Sequence, residues 1–353
     1  MSLSKIARGS GFNTDPLVQL IVNEAATSRA HNEISELEGE REDIIKKLRA
    51  GVKFTHIAPD VGNVSLHQQL MANERVHPVD SVAELLDKRI GDIGDNKRCF
   101  ARVFNNAGNP LVTAGIFTAM VTVPHSGAVL DHSQIPGDVD AIKGMDIEPF
   151  TMPKADETAV AVLYTISSSD APELKWDKGG RPLAQAVYQH LHEEAEEKGY
   201  DLVISTLSPV RNFSKWLAGQ DGFTGYFDDK GQPTQEFQQL LVSDDTKELV
   251  KDALMDYLAG ERDPVLNFHL GNGAYIGDVK FNPDNETDWA MVNYVYPSNT
   301  ELLAYNKELY AQTKIKPIAV ELQEYVSVHL RNQTTYVLQQ DRDVARSELS
   351  YEL

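Results

Sequence analysis

Thr158-Ala159-Val160-Ala161-Val162-Leu163-Tyr164-Thr165-Ile166 is a nearly continuous apolar run. A strand buried on both faces reads this way, because neither face needs polar residues. The run is short and rich in β-branched residues, so it predicts a central strand. Helical patterning follows over Pro182–Lys198, and Asp201–Thr206 is a second buried run. Strand, helix and strand in that order predict a mixed α/β domain, a sheet flanked by helices.

Working upstream, Cys99–Phe104 reads as a strand. The turn chemistry of Asn105-Asn106-Ala107-Gly108-Asn109-Pro110 predicts that Leu111–Val123 pairs back on it as a hairpin. Residues 82–90 read as a helix, and 124–156, rich in Pro, Gly, Asp and Ser, as an irregular connection. Asp15-Pro16 starts a helical segment that runs to Ala50, with Leu17, Leu20, Ile21, Ile34, Leu37, Ile44, Ile45 and Leu48 at helical spacing. Downstream, strands are expected at Val265–Leu270, Tyr275–Phe281 and Ala290–Tyr296, and helices at Thr246–Ala259, Asn299–Lys314 and Lys316–His329. The expected organisation is a short helical segment over 1–50, a catalytic-sized domain over 51–331 and a polar tail over 332–353.

Composition narrows the function classes. Acidic residues outnumber basic ones 53 to 33, for a net charge of −20, so a polyanion such as nucleic acid is not expected as partner. No stretch is apolar enough to cross a bilayer, and the N-terminus lacks a secretory pattern, so a cytoplasmic location is expected. The single cysteine, Cys99, allows no internal disulfide and no zinc site built on paired cysteines. His190 and His192 stand two apart in a predicted helix, point in different directions, and read as surface residues.

Three segments carry chemistry. Lys175-Trp176-Asp177-Lys178-Gly179-Gly180-Arg181 lies between a buried strand and a helix. Its glycines allow close backbone approach, and Lys175, Lys178 and Arg181 gather the positive charge that a diphosphate needs in an acidic protein. Ser205-Thr206-Leu207-Ser208-Pro209-Val210 ends a buried strand, where open α/β sheets form ligand crevices. Ser208 is the candidate hydroxyl there; an ordinary turn or cap serine is the plainer alternative. Asn267-Phe268-His269-Leu270-Gly271-Asn272-Gly273-Ala274 places a histidine at the end of a short predicted strand. His269 could transfer a proton near neutral pH, or serve as a hydrogen-bonded core residue.

Taken in order, Val76-His77-Pro78-Val79, Lys97-Arg98-Cys99-Phe100, Asn109-Pro110-Leu111-Val112, Val162–Ser167, Ser205–Phe213 with Trp216-Leu217, Asn267–Ala274 and Met291-Val292-Asn293-Tyr294-Val295-Tyr296 resemble the malonyl-CoA decarboxylase family. The resemblance spans about Gly51 to Tyr310. It implies a carboxy-lyase of fatty acid metabolism with the GNAT fold of N-acetyltransferases, converting malonyl-CoA to acetyl-CoA and carbon dioxide. It implies Ser208 and His269 as catalytic residues, with Ser208 orienting the carboxylate or thioester and a protonated His269 protonating the enolate. Asn272 and Tyr294 are candidates for positioning, and Lys175, Lys178, Gly179, Gly180 and Arg181 for holding the substrate. It implies no metal and no cofactor, since the thioester is its own electron sink, an acyl-CoA as partner, and a homo-oligomer. Two stretches depart from the family pattern: Ser168-Ser169-Asp170-Ala171-Pro172-Glu173 and Thr113-Ala114-Gly115-Ile116-Phe117. The helical region before Gly51 is also shorter. A GNAT-type acyltransferase and a non-catalytic acyl-CoA-binding module are the competing expectations.

Overall fold

The apolar run at Thr158–Ile166 lies inside a strand, Glu157–Ser168, that is buried from Thr158 to Thr165. In the computed structural model it is the fifth of the strands β1 (Val52–His56), β2 (Lys97–Asn106), β3 (Asn109–Ser126), β4 (Val129–Leu130), β5 (Glu157–Ser168), β6 (Leu202–Thr206), β7 (Ser208–Pro209), β8 (Tyr275–Phe281), β9 (Ala290–Tyr296), β10 (Lys316–Ala319) and β11 (Thr334–Val337). The structure describes residues 38–39, 42–43, 45–46, 48–74, 78–106, 108–126, 129–177, 179–210, 212–260, 263–282 and 289–337. Two units are distinguished, Met1–Lys53 and Phe54–Leu353. Most of the expected N-terminal helix lies outside the described residues; those described between 38 and 50 are helical.

The sheet runs β1-β2-β3-β5-β6-β9-β8-β10-β11, with β4 on β3 and β7 on β9. The hairpin expected from the Asn-rich turn forms: β2 and β3 pair antiparallel from Lys97↔Ala119 to Asn106↔Asn109. β3 pairs antiparallel with β5, and β5 pairs parallel with β6, so the sheet is mixed.

The helices are α1 (Val64–Asn73), α2 (Val82–Lys88), α3 (Val139–Gly144), α4 (Gly180–Lys198), α5 (Phe213–Leu217), α6 (Gln235–Leu240), α7 (Asp244–Gly260), α8 (Pro264–Leu270) and α9 (Thr300–Thr313). Leu183, Val187 and Leu191 of α4 pack with Ile116, Ala161 and Ile204 of the sheet. Alternate strand residues Val162, Tyr164 and Val203 instead join Leu70 of α1, Leu85 of α2 and Ile142 of α3. This two-sided burial explains the unbroken apolar run of β5. Cys99 is fully buried in the second cluster, and burial pushes its thiol pKa far above the ordinary range.

Three expectations are corrected. Val265–Leu270 belongs to helix α8, because Asp263 caps its first turn, accepting from the Val265 and Leu266 amides, with Pro264 at the first position. Lys316–His329 begins as strand β10 and continues as two 3-10 turns, Val320–Tyr325 and Val328–Gln333. Pro317 disfavours a helical conformation at Lys316, and β8 offers a parallel partner at Ile318↔Ile276. The supposed tail from Asn332 starts as part of the second 3-10 turn and then forms β11, parallel to β10; residues 338–353 lie outside the described residues.

An aromatic cluster supports the segment after the serine motif. Trp289 is 1 % exposed and donates to Ser214 Oγ at 2.9 Å. Its ring lies 5.6 Å from Phe213, 5.4 Å from Phe237 and 6.0 Å from Phe281. Trp289→Ala should therefore lower the unfolding free energy by about 3–5 kcal/mol in urea titrations, as large aromatic truncations in packed cores do.

Candidate active site

β6 accompanies β5 only from Ala159↔Leu202 to Leu163↔Thr206. Leu207 still donates to the Leu163 carbonyl at 3.2 Å; β6 is already paired with β9 at Ile204↔Tyr296 and Ser205↔Val295, and past Leu207 the chain parts from β5 but stays on β9, pairing Ser208↔Val292 and Pro209↔Met291. The last residues of β5 thus continue without β6 beside them, and Ser208 stands where the strands part. Its side chain is 7 % exposed.

His269 reaches the same point from the last turn of α8. The chain reverses immediately after it, with the Asn272 and Ala274 amides donating to the His269 carbonyl at 3.0 and 3.2 Å. Gly273 makes this reversal with φ +97°, and a Cβ there would lie 2.3 Å from the Leu303 carbonyl oxygen. Only glycine satisfies both conditions.

The two candidate groups meet. Ser208 Oγ lies 3.2 Å from His269 Nε2 and 3.2 Å from Thr206 Oγ1. His269 Nδ1 lies 2.8 Å from the Tyr296 hydroxyl. Tyr294 stacks on the imidazole, ring centroids 4.5 Å apart and planes at 17°. Asn272 hydrogen-bonds Tyr296. With the Asn272 amide donating to the phenol oxygen, Tyr296 donates to Nδ1, and Nε2 carries the ring proton toward Ser208. The Ser208 hydroxyl proton is then available to a ligand oxygen.

Burial dominates the electrostatics. His269 is 4 % exposed, and loss of water alone lowers its pKa to about 3, so the resting ring is neutral. Tyr296 is half-buried; desolvation pushes its pKa well above the ordinary tyrosine value, while the Asn272 hydrogen bond and the Arg181 charge pull against it.

Sequence reasoning named Ser208, His269, Asn272 and Tyr294 but missed Tyr296 and Thr206. The signal for both was period-two alternation: Tyr296 shares a strand face with Tyr294, and Thr206 lies two residues from Ser208.

The segment Lys175–Arg181 makes contacts of its own. Lys175 is exposed, Lys178 lies outside the described residues, Gly179 is buried and Gly180 half-buried. Asp177, 5 % exposed, is what holds this segment. It accepts from Arg102 Nη2 at 3.1 Å, Arg102 Nε at 3.2 Å and Thr113 Oγ1 at 2.6 Å. Trp176 packs edge-on against Phe104 at 5.4 Å. The two stretches that depart from the family pattern flank this connection, so Thr113 and the altered loop form one packed unit. Arg181 has its guanidinium 5.9 Å from the ring of Phe268, the residue before His269. His190 and His192 are half-buried rather than at the surface, against Phe100 at 5.4 Å and Tyr188 at 4.3 Å. Among the described residues no cluster of His, Cys, Asp and Glu could hold a metal, and no helix is long and apolar enough to cross a membrane.

The buried neutral imidazole makes stability pH-dependent. The unfolded chain protonates His269 below its ordinary pKa of 6.5, whereas the folded chain resists protonation down to about 3. This contribution is complete above pH 6.5 and declines as pH falls toward 3, by up to about 1.4 kcal/mol per pH unit. His269→Gln should flatten that slope in denaturation curves collected between pH 6.5 and 4.

No protein-family model matches the chain. Malonyl-CoA decarboxylase of Anser anser anser is 24% identical over 307 residues, 75% of this chain and 56% of the relative. The Mus musculus mitochondrial enzyme is 25% identical over 271 residues, 65% of this chain and 50% of the relative. The chain spans about half the length of the curated relatives it matches. Among solved structures, malonyl-CoA decarboxylase from Agrobacterium vitis superposes with a TM-score of 0.58 at 20% identity, covering 82% of this chain and 71% of that one. The Rhodopseudomonas palustris protein gives 0.55 at 20% identity, covering 85% and 73%. Both share the fold. Sequence and fold alike relate this chain to the malonyl-CoA decarboxylases.

Proposed function

We propose that this protein decarboxylates malonyl-CoA to acetyl-CoA and carbon dioxide without metal or cofactor, using Ser208 and His269. The observation that carries the reading is the buried 3.2 Å contact between Ser208 Oγ and His269 Nε2, at the end of the parted strands β5 and β6. A GNAT arrangement fits the same features, with α4 following β5 and the parallel pair β5–β6 opening toward the site. The CoA phosphates would face Lys175, Lys178, Gly179 and Gly180, on the segment that Asp177 anchors. A cytoplasmic homo-oligomer is part of the same reading.

The chemistry follows from charge. Loss of carbon dioxide leaves the bonding electrons on the thioester as an enolate, which must be stabilised and then take one proton at carbon. Ser208 donates a hydrogen bond to the carboxylate or thioester oxygen, backed by the Nε2 proton of His269. The resting ring is neutral, but an anionic malonyl group in the same water-poor place favours the imidazolium. The proton consumed by the reaction thus enters with the substrate, and His269 passes it to carbon once the carboxylate has left. Tyr296 and Asn272 hold the ring and its tautomer; Tyr294 stacks beneath it.

Incubation with malonyl-CoA should release carbon dioxide and form acetyl-CoA, followed by trapping of the gas and mass spectrometry of the thioester. His269→Ala should lower kcat about 10²–10⁴-fold, the usual worth of a positioned general acid. Ser208→Ala should slow turnover while malonyl-CoA binding persists. No carbon dioxide from the wild-type protein, or acetyl transfer to an amine in its place, overturns the reading.

A further inference from the structure

We propose that Arg181 is the specificity-determining residue of this site and selects thioesters whose acyl chain ends in a carboxylate; this rests on the decarboxylase reading above. Arg181 opens α4 and is exposed. Its guanidinium lies 5.9 Å from the half-buried Phe268 ring, and that ring meets His269 edge-on at 5.0 Å. Its charge is felt at Tyr296, whose hydroxyl contacts His269. Seven residues along the same helix face, Tyr188 packs on Tyr296 at 6.3 Å, so this face of α4 lies along the Tyr296 side of the site.

Among the described residues the charge of Arg181 meets no opposite charge. Acidic residues exceed basic ones 53 to 33, and Arg89, Arg98 and Arg102 pair with Glu74, Glu194 and Asp177. Arg181 pairs with no carboxylate of a described residue; its contact is the Phe268 ring. A guanidinium over an aromatic face keeps its N–H donors for an incoming group, since the ring takes up the charge and no hydrogen bond. A planar fork of N–H groups matches a carboxylate through two parallel hydrogen bonds. The Ser208–His269 pair cannot fill this role at rest, since its imidazole is neutral and no acidic or basic side chain contributes to that state. A carboxylate moved into a desolvated site without a counter-charge is strongly disfavoured.

The direction of the effect separates this role from others. Decarboxylation turns the charged carboxylate into neutral carbon dioxide, so an Arg181–carboxylate pair exists in the bound substrate and is lost as reaction proceeds. Such a contact strengthens binding of the ground state and does not accelerate the bond-breaking step. It also discriminates substrate from product, because acetyl-CoA lacks the carboxylate while keeping the nucleotide and pantetheine.

The test is Arg181→Met, which keeps the aliphatic stem, with Arg181→Lys beside it. For Arg181→Met, KM for malonyl-CoA should rise about tenfold or more with kcat unchanged or raised, while the inhibition constant of acetyl-CoA changes by less than about twofold. Arg181→Lys should recover part of the loss. Equal weakening of malonyl-CoA and acetyl-CoA would place Arg181 on the phosphates and overturn the inference, as would a fall in kcat at unchanged KM. If the wild-type protein releases no carbon dioxide, the decarboxylase reading fails on its own. Calorimetric binding then decides the role of Arg181: a malonyl-to-acetyl affinity ratio that falls in Arg181→Met supports it, and an unchanged ratio overturns it.

Discussion

An imidazole taken out of water loses the solvation that stabilises its charge, and the site is organised around that constraint at His269. With its pKa depressed to about 3, the ring is a neutral hydrogen-bonding group between Tyr296 and Ser208. A neutral ring has one proton for two nitrogens, so its neighbours decide which nitrogen donates. Asn272, Tyr296, His269 and Ser208 form a line in which each member can set the direction of the next. The stacked Tyr294 ring excludes water from one face and prevents the imidazole from turning.

That arrangement needs two chain segments to stop at the same place. The serine comes from a segment that parts from β5 after Leu207 while remaining paired with β9 at Ser208. The histidine comes from a helix of seven residues that ends one position after it. They are 61 positions apart in sequence, and much of the intervening chain lies in α7 and in the aromatic cluster around Trp289. The tight reversal at Gly273 then brings the chain into β8, next to β9, which carries both tyrosines. Geometry of this kind is a by-product of sheet pairing, which is far more rigid than loop packing.

The sheet was legible wherever its residues face a core. β5, β6, β8 and β9 follow from apolar runs, and α4 from helical periodicity, because burial on defined faces imprints those periods. α8 was misread as a strand because seven residues are too few to display a helical period; its start signal, Asp263-Pro264, carries the information instead. β10 was hidden for a related reason, since its extended state depends on the edges of β8 and β11 rather than on its own composition. Ser208 and His269 were found through family resemblance, as neither stands out chemically in its own segment. The Asp177 contacts were not legible at all. Its partners lie 75 and 64 residues away, on strands whose register only the folded sheet defines.

The single cysteine has a practical meaning beyond the fold. Cys99 is sealed in the core, and burial holds its sulfur in the protonated form, which is a poor nucleophile. Native protein is therefore chemically silent toward maleimides and iodoacetamides. A thiol introduced at an exposed position such as Lys175 would be the sole reactive handle, so a fluorophore or spin label could be attached to the segment before α4 without first removing the natural cysteine.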